Sequence, residues 1–161
     1  MDAGPIIAKK EIKLNKTETT DILMDKLANL GATLLTDILP KWVSNQIQET
    51  PQNESDSTYC YKDDISKQKA EITFKTDLYT AERMIRAFYP WPVAWVRYQG
   101  KMVKIFSGII SDLKENSSEL KFIKKDKKLF LVLQTGCIEV LELQMEGKSR
   151  DSFKNYLFLS A

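Results

Sequence analysis

From Thr20 onward the apolar residues step with helical period. Leu23, Leu27, Leu30, Leu34 and Ile38 lie four, three, four and four positions apart, and Thr20 with Asp21 supplies a start signal. Two helical pieces are expected here, because Gly31 can bend or end the first and Pro40 has no N–H to donate inside the second. The ladder should therefore break or kink near Leu39. Ahead of this stretch, Met1 to Pro5 reads as a turn. Ile6-Ile7-Ala8 and Glu11-Ile12-Lys13-Leu14 read as a short strand with poor alternation, resembling an element cut from something larger. A second helical pattern begins after Thr76-Asp77, with Leu78, Ala81, Ile85 and Phe88 on one face. Tyr89-Pro90-Trp91-Pro92 stops it, since residues before proline are pushed out of the α region.

The remainder alternates as β structure. Residues 94–99 and 101–106 flank Gly100 as a hairpin, and residues 119–123, 129–133 and 137–143 follow between polar or glycine-containing turns. In the last of these the phase slips: Ile138 and Val140 share one face while Leu141 and Leu143 share the other, which calls for a bulge or a doubly buried stretch. Five short strands after one helix suggest a small closed or nearly closed barrel of the OB-like kind. Residues 152–159 read as a terminal helix on the spacing of Phe153 and Leu157. Between the two halves, residues 45–57 are poor in apolar side chains, rich in Gln, Asn, Glu, Ser and Thr, and contain Pro51, which is linker composition. The chain is thus α+β, divided into residues 1–44, a linker at 45–58, and an OB-like domain at 59–161.

Composition narrows the chemistry. The 161 residues contain no histidine, so imidazole is removed from every proposed triad, zinc site or proton shuttle. The two cysteines, Cys60 and Cys137, belong to no CxxC pair and read as reduced, structural thiols. No apolar run is long enough to span a bilayer, and charges crowd the first twenty residues where a signal peptide needs an apolar stretch. The cytoplasm is the expected compartment.

The net charge is only +2, but it is unevenly spread: residues 1–93 hold 12 basic against 14 acidic side chains, and residues 94–161 hold 12 against 8. Lys121 to Lys128 alone contains five lysines and one aspartate. Lys101, Lys104, Lys121, Lys124, Lys125, Lys127, Lys128, Lys148 and Arg150 are candidates for phosphate contact if the barrel's turns converge on one rim. Arg86 could reach a phosphate backbone or bond to the Pro-Trp-Pro turn. Trp91 and Trp95 are expected to be packing residues, not a base-stacking platform.

The stretch Ile85-Arg86-Ala87-Phe88-Tyr89-Pro90-Trp91-Pro92-Val93-Ala94-Trp95 resembles the IRAFNPWPxAW signature of the methionyl-tRNA formyltransferase family. Three other segments agree, in family order. Asp25 to Ala32 is similar to the DKLAxLGA helix, Thr58-Tyr59 leading into Ile65 to Ile72 is similar to the TYAxKI…RIDW segment, and Gly136 to Lys148 is similar to the GxLxLLELQPxGK ending. The departures are Tyr89 for the usual Asn, Val93 for the usual Gly, and no Pro-Gly within residues 112–118.

The resemblance implies the C-terminal part of an enzyme that moves a formyl group from 10-formyltetrahydrofolate to the amino group of methionyl-initiator tRNA. Residues 1–44 would be the tail of its Rossmann-like formyltransferase domain, and the barrel would help hold the tRNA. Asp2 matches the family's catalytic aspartate, whereas the Asn-x-His part of that site would lie upstream of Met1. The chain alone is then expected to bind tRNA as a monomer without transforming it, unless another polypeptide supplies the missing catalytic part. A sugar-nucleotide formyltransferase shares a similar PWPxA turn, but the preceding RAF and the LELQxxGK ending favour the tRNA enzyme. A free-standing OB-like RNA-binding module is the remaining alternative.

Overall fold

A computed structural model describes residues 3–152. The chain divides into two compact units, Met1–Cys60 and Tyr61–Ala161. In the first, a single unbroken helix, α1, runs from Thr20 to Val43. The expected break near Leu39 does not occur. Gly31 keeps helical geometry, and Pro40 falls in the last turn, where its missing N–H costs one hydrogen bond just before the helix would end anyway. Ser44 closes the end, with its N–H reaching the Pro40 carbonyl at 3.1 Å and its hydroxyl the same oxygen at 2.8 Å. The predicted opening strand reduces to one antiparallel bridge, in which Ile6 and Thr50 exchange two 2.8 Å backbone bonds. The weak alternation around Ile6 leaves nothing to extend it.

No residue of α1 is buried. Its apolar stripe stays partly open, with Leu27 at 45% exposure and Leu23, Leu30, Leu34 and Ile38 half-buried. Ile7, Ala8, Leu34, Ile38 and Trp42 line a groove of about 240 Å³ beside it. An amphipathic stripe of this kind normally faces a core.

The second unit is an antiparallel sheet with one helix laid on it. The helix, α2 (Leu78–Ala87), is capped by Asp77, whose carboxylate accepts the Thr80 N–H at 3.0 Å. It buries Leu78, Ala81 and Ile85, the face read from the sequence. The strands are β1 (Trp95–Tyr98), β2 (Lys101–Ser111), β3 (Lys121–Lys125), β4 (Lys128–Leu133), β5 (Gly136–Met145) and β6 (Asp151–Ser152). Their order is β1-β2-β5-β4-β3, with β6 added beside β5. The sixth strand was not expected, and Ser152, the first residue of the predicted terminal helix, pairs in it. The rest of that predicted helix lies outside the described residues.

The sheet curls into a half-barrel. β1 and β3 sit at opposite ends of the strand order, yet Tyr98 and Phe122 meet edge to face with ring centroids 5.0 Å apart. Side chains, not a ladder of hydrogen bonds, therefore bring the two edges together. The phase slip expected in residues 137–143 is real and has a counterpart across the ladder. The β2–β5 register shifts between Ile105 and Gly108, so that Val103 and Ile105 face the core on one side of the irregularity and Gly108 and Ile110 on the other. β4 is buried on both faces, with Leu129, Leu131 and Leu133 in the main core and Phe130 and Val132 in a smaller cluster with Cys137.

Two glycines permit close approaches, Gly108 to β5 and Gly136 to α2. A Cβ on Gly108 would lie 2.8 Å from Ile138 Cγ2. One on Gly136, whose φ is +150°, would lie 2.7 Å from Leu78 Cδ2. Thr135 fixes the helix start by accepting the Leu78 N–H at 2.9 Å. Beyond α2, Val93 is buried and holds φ at +71°, a conformation that favours glycine and that a β-branched residue rarely takes. The pattern this stretch resembles has glycine here, the residue that this conformation favours.

Candidate nucleic-acid interface

The ladder registers decide whether the basic turns converge. β1 ends and β2 begins at the Gln99–Gly100 turn, since Tyr98 pairs with Lys101. Because β5 is antiparallel to β2, Met145 and the Glu146–Lys148 turn lie at that same end. β4 is antiparallel to β5 and β3 to β4, so the Asp126–Lys127 turn also points there. Three turns carrying Lys101, Lys124, Lys125, Lys127, Lys128 and Lys148 therefore point the same way along the sheet, with Lys128, one residue before Leu129, level with Leu141, short of the Met145 end. Two are tight two-residue hairpins with both central residues at positive φ: Gln99 and Gly100 at 48° and 76°, Asp126 and Lys127 at 49° and 59°. The second does this without glycine, which presents Lys127 at the tip.

The cations in this region are not equivalent. Arg150 is bound by both oxygens of Glu142 at 2.7 and 2.8 Å, and its guanidinium lies over Phe106 and Tyr89 at 4.2 and 5.5 Å from the ring centroids. The Glu142 carboxylate, then Tyr89, holds its proton more tightly than usual. Arg86 is held within α2 by Glu82, at 2.6 and 3.0 Å. Lys121 pairs with Glu115 at 3.1 Å and Lys128 with Glu139 at 2.8 Å. Lys101, Lys104, Lys124, Lys125 and Lys127 take part in none of the ion pairs among the described residues. They are the cations whose charge is available to a polyanion without first breaking a carboxylate contact.

Asp2 lies outside the described residues. Among the described residues no group of three or more His, Cys, Asp or Glu side chains could hold a metal, and no helix is long and apolar enough to cross a membrane. Cys60 is exposed and Cys137 buried, and burial, followed by the charge of Glu115, pushes the Cys137 thiol up. The two tryptophans do not share a fate. Trp95 is 6% exposed and donates its indole N–H to the Lys67 carbonyl at 2.7 Å, as a packing residue should. Trp91 is 62% exposed and so is not a core residue. Pro92 and Val93 turn inward immediately after it, leaving the indole on the outside. The Arg150 clamp was also missed, because only the β6 pairing places Arg150 beside Glu142.

The chain belongs to the formyl transferase C-terminal domain family, which matches residues 64–158. Among named relatives, the methionyl-tRNA formyltransferases of Methylococcus capsulatus and Lactobacillus gasseri are each 34% identical over 98% of the chain. The chain spans about half the length of the curated relatives it matches, 50% of each of these two. Solved structures agree on the fold. HypX from Aquifex aeolicus in complex with tetrahydrofolic acid superposes with a TM-score of 0.69 at 17% identity, over 97% of this chain and 28% of that one. The N-formyltransferase from Helicobacter canadensis in complex with folinic acid and dTDP-3-aminofucose gives 0.66 at 19%, over 91% and 52%.

Proposed function

We propose that this chain is the C-terminal, tRNA-gripping part of a methionyl-tRNA formyltransferase. In this reading its second unit supplies a salt-sensitive hold on the phosphate backbone of the initiator tRNA. The observation that carries the reading is the common direction of three lysine-bearing turns along the sheet, in a chain that methionyl-tRNA formyltransferases match over 98% of its length. Lysines of this kind position a nucleic acid without reading its sequence.

In this reading Asp2 is one catalytic group and an Asn-x-His segment supplies the others. Formyl transfer needs the methionyl amine to attack a formyl carbon, a group to accept its proton, and donors to stabilise the oxyanion. 10-Formyltetrahydrofolate would supply the formyl group in the complete enzyme. The described residues of the first unit do not fit such a cofactor, because the groove beside α1 is lined by Ile7, Ala8, Leu34, Ile38 and similar apolar groups. The indole N–H of Trp42, the polar group there, is already given to Glu49 at 3.2 Å. A pterin would find no set of donors and acceptors. The same groove suits a structural role: residues 1–44 as the closing elements of a formyltransferase domain, with the partly open stripe of α1 covered by the rest of that domain. Asp2 would join an Asn-x-His segment there.

The test is formyl transfer. The purified chain, given 10-formyltetrahydrofolate and methionyl-initiator tRNA, should form no formyl-methionyl-tRNA. Joined to a formyltransferase segment bearing Asn-x-His, it should form it. Turnover by the chain alone would refute the division of labour.

A further inference from the structure

We infer that Trp91 and the segment before α2 form a second nucleic-acid contact, a shelf on which one unpaired base stacks. Trp91 is among the most exposed large apolar side chains of the second unit, yet it is not a stray residue on a loop. It faces a cleft of about 510 Å³ whose other walls are Lys62, Asp63, Ile65, Ser66, Lys67 and Gln68. That wall is fixed to the sheet. Trp95 donates to the Lys67 carbonyl at 2.7 Å, the Trp95 N–H reaches the Ala70 carbonyl at 3.0 Å, and the Ile72 N–H reaches the Trp95 carbonyl at 2.7 Å. The next two residues, Pro92 and Val93, are buried, which anchors the chain beside the indole.

The chemistry of the cleft suits a nucleotide. One face is an open π-surface with an aliphatic neighbour in Ile65, which accepts any base by stacking. The edge carries two lysines against one aspartate and adds the amide of Gln68, a net positive margin for a phosphate. The cleft lies at the start of β1, and the lysine-bearing rim lies at its end, roughly 10 Å of strand away. Rim and shelf would therefore hold different parts of one RNA, the rim a phosphate backbone and the shelf an unpaired residue. This assignment rests on the tRNA-binding reading above.

The experiment titrates labelled initiator tRNA with the full chain and three variants: Trp91→Ala, Trp91→Phe, and the triple Lys124→Gln, Lys125→Gln, Lys127→Gln. Affinity is measured between 50 and 200 mM salt. Loss of the indole should weaken binding about 5- to 150-fold while leaving the salt slope unchanged, because stacking releases no counterions. Trp91→Phe should recover part of the loss, and RNA should quench tryptophan fluorescence in the wild type but not in Trp91→Ala. Equal melting temperatures for Trp91→Ala and wild type exclude misfolding; if they differ, the Trp91→Phe affinity and wild-type quenching decide. If the wild type binds and the triple variant loses salt slope while Trp91→Ala binds normally, the shelf is refuted and the rim survives. If no protein binds RNA even at low salt, both readings fall. If Trp91→Ala instead abolishes a wild-type dimer seen by sedimentation, the cleft is a contact between copies of the chain and the inference is wrong.

Discussion

Replacing Gly108 with alanine should destabilise the second unit by about 1–2 kcal/mol, although alanine is the smallest addition available. The added Cβ would lie 2.8 Å from Ile138 Cγ2, 3.2 Å from the Glu139 carbonyl oxygen and 3.4 Å from Ile85 Cδ1. Carbon atoms attract best at about 3.5–4.0 Å, so the first contact is repulsive and the second presses on ladder backbone. Ile138 is fully buried, so its methyl cannot step aside without moving the core. Overpacking of this kind costs about 1–3 kcal/mol, offset by about 0.4–1 kcal/mol because alanine restricts the unfolded chain. Urea unfolding followed by tryptophan fluorescence reads the difference. For a domain of this size each kcal/mol moves the melting temperature by about 4–8 °C. The mirror experiment is Gly31→Ala, where nothing lies within 4 Å and the backbone is already helical. That change should raise helicity and stabilise by about 0.5–1 kcal/mol. If Gly108→Ala left the urea midpoint unchanged or raised it, the close packing of β2 against Ile138 of β5 would be wrong.

Three further outcomes follow from local geometry. Lys127 holds φ at +59° in its hairpin, so Lys127→Gly should stabilise the second unit by about 1 kcal/mol while weakening RNA binding, a split that thermal melting and titration together would reveal. Asp77→Ala removes the cap of α2 and should cost about 1 kcal/mol by urea unfolding. An aromatic disulfide reagent should titrate one thiol, Cys60, in the native protein and two after denaturation. Because the native Cys137 pKa lies above its unfolded value of 9.0, its contribution to stability is complete below pH 9. That contribution should fade as pH climbs through the native pKa, which an alkaline melting series would detect.

Sequence pattern reached furthest where one physical cue dominated. The face of α2 was legible because Leu78, Ala81 and Ile85 share one helical side and Asp77 is a strong cap. The irregularity in β5 was legible because Ile138 and Val140 fall out of phase with Leu143, although its counterpart in β2 could be seen only once the two strands were paired. The break expected in α1 failed because Pro40 was weighed as an interior proline, whereas only three residues of helix follow it. Trp91 was not legible as an exposed residue, because two prolines and strand spacing suggest a core position. The lysines were visible as a cluster, but their common direction required the strand pairings. Their inequality required knowing that Glu115 and Glu139 stand opposite Lys121 and Lys128 and not the others.

The most direct test of the account is the dependence of tRNA affinity on salt. Each phosphate contact made by a rim lysine should contribute about 0.7–0.9 to the slope of log K against log salt concentration. The triple Lys124→Gln, Lys125→Gln, Lys127→Gln variant should therefore bind with a slope shallower by about 2–3 than the wild type, whereas Arg86→Gln, whose charge is already committed to Glu82, should leave the slope nearly unchanged. Wild-type binding that is indifferent to salt, or a triple variant whose slope matches the wild type, would contradict the claim that the lysine-bearing turns grip RNA.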